Sequence, residues 1–143
     1  MNILLSIQQI YVGRIFTGIK KFEYRKRIWD NEVSWVYLYA GRPTKMIVGR
    51  FRYTGAVRGD KYAVWQATHE VSGITALDFF DYYAGRNNAI AIIVEDVEQF
   101  ILPIDPYLTW PGYRAVQSWC YLDSEREDYI MQMQQLFRRR EEI

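Results

Sequence analysis

The densest group of residues able to do chemistry is Gly18 to Arg25, GIKKFEYR. The glycine predicts a turn that sets Lys20 at the mouth of a strand, and Glu23 and Arg25, two residues apart, then project to one side of it. An ammonium, a carboxylate and a guanidinium thereby converge in one small volume. Such a trio can hold a phosphate or read the edge of a base, the carboxylate accepting from an exocyclic amine and the guanidinium donating as a fork. Used catalytically, Lys20 and Glu23 form an acid–base pair able to activate water in a partly dry cleft. The same spacing also describes an ordinary solvated strand face with i, i+2 ion pairs, which contribute little.

Other basic residues fit a local anionic partner. Arg42 and Lys45 flank a loop, Arg50 and Arg52 share a strand face, and Lys26 and Arg27 extend the GIKKFEYR run. With Trp29, Tyr37 and Tyr39 close in sequence, they describe a groove that tracks phosphates and stacks bases, or else a balanced solvated surface. TWPGY, Thr109 to Tyr113, reads as a lid with Trp110 free to stack, or as a plug for one end of the fold. The Arg138 to Arg140 triplet is answered at once by Glu141 and Glu142, so helix-end stabilisation explains it. One cysteine, Cys120, and one histidine, His69, cannot assemble a Cys/His zinc site within one chain, and no cofactor is expected. Cys120 reads as a buried structural thiol, and His69 takes no role.

Elements that would position these groups follow from hydrophobic periodicity. Ile3 to Ile7 predicts a buried strand, and Gln8 to Thr17 a helix stopped by Gly18. Lys21 to Ile28 alternates as a half-buried strand, Val33 to Ala40 is apolar on both faces as a central strand requires, and Lys45 to Val57 alternates with a basic outer face. Asp60 to Thr68 predicts a short helix, Thr75 to Tyr83 a helix opened by a Thr75–Asp78 capping pair, and Ala89 to Glu95 an interior strand. Beyond Phe100, three prolines predict a wrapping loop before a last strand, Val116 to Tyr121. Ser124 and Glu127 predict a capping box for a C-terminal helix with a stripe of Tyr129, Ile130, Met133, Leu136 and Phe137. Strands with interspersed helices favour an α+β class.

A chain of 143 residues, half of them apolar or aromatic, is long enough for one domain with a real core. Eighteen basic and seventeen acidic side chains leave a net charge of +1, so no global field holds nucleic acid and any basic face is local. Aromatic residues reach 17%, more rings than a core easily buries, which predicts that some line a cleft. MNILLSIQQIYVGR is broken by Ser6, Gln8 and Gln9 and carries no basic leader, so neither a signal peptide nor a membrane span is expected. The single cysteine fits a cytoplasmic setting.

Gly18-x-Lys20-x-x-Glu23-x-Arg25 resembles the G-x-K-x-x-E-x-R signature of ASCH domains. SIQQIYVGRIFTG is similar to that family's first strand and helix, Tyr37 to Tyr53 resembles its Y-A-x-x-P and I-V-G-x-F segments, and VQSWCYL resembles its closing strand. The likeness spans about Leu4 to Leu122. It implies a small, closed PUA-like β-barrel over residues 1–123 with flanking helices, and an added helix, 124–143, packed on the domain or on a second copy. It further implies a cleft beside the barrel at Lys20, Glu23 and Arg25, with Tyr39 and Ser118 as flanking candidates, for RNA or a modified nucleoside. One branch resembling this fold hydrolyses acetylated cytidine with a lysine and a threonine; Glu23 stands at the threonine position here.

Three functions follow as expectations. The first is an RNA- or nucleotide-binding module using Lys20, Glu23, Arg25, Tyr39, Arg42, Lys45 and Ser118. The second is a hydrolase on a modified nucleoside or RNA, with Lys20 and Glu23 catalytic. The third is an interaction adaptor that dimerises through its C-terminal helix.

Overall fold

The computed structural model describes residues 1–115 and 117–141. Strands β1 (Asn2–Ile7), β2 (Phe22–Arg25), β3 (Trp35–Ala40), β4 (Met46–Asp60), β5 (Asn88–Ile104) and β6 (Trp119–Leu122) form one mixed sheet in the order β2-β5-β4-β3-β1-β6. Helices α1 (Gln9–Phe16), α2 (Lys61–Thr68), α3 (Ala76–Tyr82), α4 (Pro106–Thr109) and α5 (Ser124–Glu141) pack around it. The α+β class therefore holds. β1 runs parallel to β3, while the other neighbours pair antiparallel.

Closure into a barrel does not occur, because the two end strands, β2 and β6, share no ladder. Side chains span the seam between the two ends instead. The Trp119 indole donates to the Arg27 carbonyl at 3.2 Å, Trp29 and Trp119 meet edge to face at 5.6 Å, and Arg25 donates to the Ser6 carbonyl at 2.7 Å. The seam leaves room for a cleft.

Alternation sorts the core as a two-faced sheet requires. Ile3, Leu5, Val36, Leu38 and Phe51 pack with Val12 and Ile15 of α1, whereas Leu4, Tyr37, Tyr39, Ile47 and Phe100 pack with Ile130 of α5. A third cluster joins Tyr24 of β2 to Val64 of α2 and to Phe79 and Tyr83 at α3. Of the α5 stripe, Ile130 is buried and Leu136 remains exposed.

Three elements differ from expectation. β2 ends at Arg25, since the chain must leave the sheet to carry Trp29 into the core. β5 continues through Pro103 to Ile104, because its register against β4 jumps from Gln99 opposite Gly49 to Ile104 opposite Ile47, and proline is tolerated in such a bulge. The bulge's free backbone at Leu102 pairs both ways with the side-chain amide of Gln134 on α5, at 3.0 and 2.6 Å. The cap of α5 is Asp123, which accepts from the Arg126 amide, and not Ser124; Glu127 points away and accepts from Asn2 and the Tyr37 hydroxyl. Val116, the expected start of the last strand, lies outside the described residues.

Candidate functional site

A cleft of about 650 Å³ opens at the seam. The end of β1 contributes Ser6 and Ile7, the start of α1 Gln8 and Tyr11, the turn after it Lys20, and β2 Glu23, Tyr24 and Arg25. Asp78, Asp81 and Tyr82 of α3 close the opposite wall, with Gly41 and Gln117 at its margins.

Lys20 forms the floor, 1% exposed. Gly18 makes this placement possible: its φ of +82° turns the chain out of α1, and the Lys20 amide then bonds back to the Arg14 carbonyl at 2.9 Å. The loop after α2 covers the lysine from outside, and here a glycine is required. Gly73 has a φ of +68°, and a Cβ there would lie 2.4 Å from the Lys20 Cβ. The close approach brings the Ser72 carbonyl to 2.9 Å from the Lys20 ammonium. Two tyrosine faces, Tyr11 and Tyr24, lie 5.2 and 5.0 Å from the same nitrogen and solvate it as π-systems. Burial pushes the amine below the ordinary lysine range, opposed by the nearby Glu23 carboxylate.

Glu23 is the hub. Its Oε1 lies 3.5 Å from Lys20 Nζ, and its Oε2 accepts from Arg25 Nε at 2.9 Å and Nη2 at 2.8 Å. Nη2 also donates to the Ser6 carbonyl, so Arg25 is clamped between β2 and β1. Nη1 of Arg25 has no protein partner among the described residues. A carboxylate has about four acceptor sites, so Glu23 also retains capacity. The rim adds two more carboxylates, Asp78 and Asp81, and the Tyr82 ring.

The trio read from the signature thus converges, while the other expected residues do not join it. Tyr39 is buried on the opposite side of the sheet, its hydroxyl 2.9 Å from that of Tyr107, and Lys45 sits over the same Tyr107 ring at 4.8 Å. Those two form a separate cluster with Tyr113. Arg42 is exposed beside Gly41 at the cleft margin, and Ser118, also exposed, follows Gln117 and accepts the Ser6 amide on its carbonyl. Trp29 and Tyr37 are core residues. Trp110 packs against Tyr113 and Tyr129 away from the cleft.

Sequence reasoning missed Tyr11, Tyr82, Asp78 and Asp81, which reach the cleft only through tertiary packing. Tyr11 carried one usable signal, its position on the helix leading directly into Gly18. Burial raises the Cys120 thiol above its ordinary range, so it is no activated nucleophile. Among the described residues, no group of three or more His, Cys, Asp or Glu side chains converges to hold a metal ion, and no helix is long and apolar enough to cross a membrane.

The sequence matches the ASCH domain family over residues 5–119, a span that runs from β1 to the start of β6 and includes all three residues of the trio. The chain belongs to the ASCH domain family. An ASCH domain-containing ribonuclease of Zymomonas mobilis subsp. mobilis is 28% identical over 103 residues, covering 71% of this chain and 69% of that protein. The crystal structure of ASCH from Zymomonas mobilis superposes with a TM-score of 0.84 at 23% identity, over 92% of this chain and 94% of the other. A tyrosine-to-phenylalanine mutant of the Zymomonas protein gives the same TM-score at 22% identity, over 92% and 96%. The shared ASCH architecture agrees with the fold described above.

Proposed function

We propose that this ASCH protein acts on RNA and that the seam cleft receives one unstacked nucleobase. The carrying observation is the pairing, on the cleft floor, of a carboxylate with spare acceptor capacity and a guanidinium with free Nη1 donors. Side by side, Glu23 accepts from a base amine or imine while Arg25 donates to the neighbouring carbonyl, a pattern complementary to a Watson–Crick edge. Lys20 is a positioning residue in this reading: it holds Glu23 from behind and is covered by Ser72 and two tyrosines. The kinship with a protein named as a ribonuclease supports RNA as the polymer. The acids of α3 weigh against a pocket for a phosphate group, since Glu23, Asp78 and Asp81 outnumber Lys20 and Arg25 there.

Thermal stabilisation by short single-stranded RNAs and by free nucleosides, acetylated cytidine included, tests this. Wild type gains melting temperature with a ligand, and Arg25→Met, which leaves the Lys20–Glu23 pair in place, loses that gain. Absence of any gain across the panel would sink the reading.

A second reading, strand cleavage, is favoured by the lowered Lys20 amine and by the meeting of Tyr39 with Lys45 at Tyr107. Cleavage of labelled RNA by wild type, Glu23→Gln, Tyr39→Phe and Lys45→Ala locates the chemistry. Loss confined to Glu23→Gln assigns it to the cleft, loss confined to Tyr39→Phe and Lys45→Ala to the Tyr107 cluster, and no cleavage by wild type leaves a binding module. Hydrolysis of acetylated cytidine is read out in the same samples.

A further inference from the structure

Around the corner from the cleft lies a second groove, about 660 Å³, formed where β2 leaves the sheet, where β4 ends and where the chain turns from α3 into β5. These three places contribute Lys26, Arg58 and Arg86, with Asn87 and Asn88 between them. Among the described residues, no aspartate or glutamate lines it. The carboxylate nearest in sequence, Asp60, is turned away to cap α2, accepting from the Tyr62 and Ala63 amides.

The three cations differ from the paired cations of β2 and β4. Arg25, Arg50 and Arg52 each meet a carboxylate within 2.8 Å, whereas Lys26, Arg58 and Arg86 make no ion pair among the described residues. All three side chains are exposed. Three like charges gathered in one concave surface repel one another, and an anion relieves that repulsion. The adjoining amides of Asn87 and Asn88 add neutral donors.

The groove is contiguous with the cleft through a single ring. Tyr82 lines the cleft, and Lys26 Nζ of the groove stands 4.6 Å over the same ring. The Tyr82 hydroxyl feels Arg25 and Glu23 from the cleft and Arg86 from the groove. A base in the cleft therefore has an aromatic edge to pass and a field of positive charge directly beyond it. The cleft itself, with three carboxylates against two cations, disfavours the phosphates that such a base brings along.

We propose that Lys26, Arg58 and Arg86 form an anion groove for the sugar–phosphate backbone of a single strand whose unstacked base enters the Lys20–Glu23–Arg25 cleft past Tyr82. The inference rests on the RNA reading of the cleft and adds the part of the ligand that the cleft disfavours. It divides the labour by chemistry: the cleft recognises an edge, and the groove supplies salt-dependent affinity.

Affinity for a single-stranded RNA of about ten nucleotides, measured against salt concentration, tests it in wild type, K26A/R58A/R86A, R25M and the control R52A. The triple variant is expected to lose about 10- to 100-fold in affinity at low salt. Its slope of log affinity against log salt falls by about 2, since each lost single-strand phosphate contact removes about 0.7. R25M lowers affinity with little change in slope, and R52A leaves both unchanged. Should the triple variant melt early, R86Q alone, on an exposed turn, is expected to lower the slope by about 0.7. Unchanged affinity and slope in the groove variants, with R25M still defective, overturn the groove and leave the cleft reading standing. Failure of wild type to bind RNA at any salt concentration overturns both.

Discussion

On β4, Arg50 and Arg52 stand two residues apart and meet Glu98 and Asp96 of β5 at 2.5 and 2.8 Å; on β2, Glu23 and Arg25 stand two apart and meet each other at 2.8 Å, with Lys20 behind them at 3.5 Å. Both strands read in sequence as alternating charge on an outer face. Their surroundings differ. The β4 cations each have a carboxylate of their own across the strand and lie against the Trp35 ring, and the Arg52–Asp96 pair is 49% and 65% exposed. On β2 one carboxylate serves two cations in a place where water is largely excluded. The Arg52–Asp96 charge is matched one to one and wet, and Arg50, though only 13% exposed, has a carboxylate of its own that is 45% exposed, whereas on β2 one buried carboxylate is shared by two cations, keeps spare acceptor capacity and acts through a lower dielectric.

Removal of each hub carboxylate breaks the comparison most sharply. Glu23→Ala leaves Lys20 and Arg25 buried without their shared partner, and the expected loss is about 3–5 kcal/mol in urea denaturation, together with loss of ligand-induced stabilisation. Glu98→Ala, at a half-open pair, is expected to cost about 1 kcal/mol or less. Equal costs for the two would mean that the β2 trio is as solvated as the β4 pairs.

Gly73 provides the next test, since it governs how tightly the β2 trio is covered. An alanine there takes on left-handed backbone strain of about 1–2 kcal/mol and an overpacking cost of about 1–3 kcal/mol against the Lys20 stem. Gly73→Ala is therefore expected to destabilise by about 2–5 kcal/mol. It also weakens ligand binding, because the Ser72 carbonyl is displaced from the ammonium. Gly85, whose φ of +77° lies in the same left-handed region but with open space around it, serves as the control and costs only the strain.

The pH dependence of stability sharpens the contrast with a smaller effect. The folded Lys20 amine titrates below its unfolded value near 10.4, so between the two values the unfolded chain binds more protons and stability rises with pH. Buried Tyr37 and Tyr83 act in the opposite sense above about pH 10: their hydroxyls are held above the ordinary range, the unfolded chain loses those protons first, and stability falls. Lys20→Met removes the rise and keeps the fall. Urea midpoints of both proteins between pH 7 and 11 check it; parallel curves would show that Lys20 is an ordinary exposed amine in solution.

How far these features were legible depends on the range of the interaction that makes them. Lys20, Glu23 and Arg25 lie within six residues, so a glycine turn and the two-residue period of a strand were enough to bring them together. Asp78, Asp81 and Tyr82 reach the same cleft from a helix more than fifty residues away, and no local period encodes which wall α3 will close. Tyr39 failed for a related reason. On a central strand both faces are apolar, so alternation states that Tyr37 and Tyr39 share a face without stating which face; packing against Phe100 and Ile104 turned it away from the cleft. The expected loop at Pro103 became strand because Gln134, from α5, supplies the partner that the bulged backbone lacks. A closed barrel was expected from family likeness, and the side-chain bridges at the seam stand where a ladder would have sealed the site.

The smallest expected effect completes the comparison from the other side. Arg52 donates to Asp96 at 2.8 Å and lies 4.8 Å over Trp35, yet roughly half its side chain faces water. Solvent screens the pair, and the guanidinium keeps much of its hydration when the carboxylate is removed, so the coupling measured by an Arg52/Asp96 double-mutant cycle is expected to be below about 0.5 kcal/mol and to vanish at high salt. The equivalent cycle on Arg25 and Glu23 is expected to exceed it several-fold and to weaken less in salt, because a pair only 12% and 7% exposed is screened less than an open one. Similar salt sensitivity in both cycles would place the β2 trio in bulk-like solvent and remove the physical basis for reading it as a ligand site.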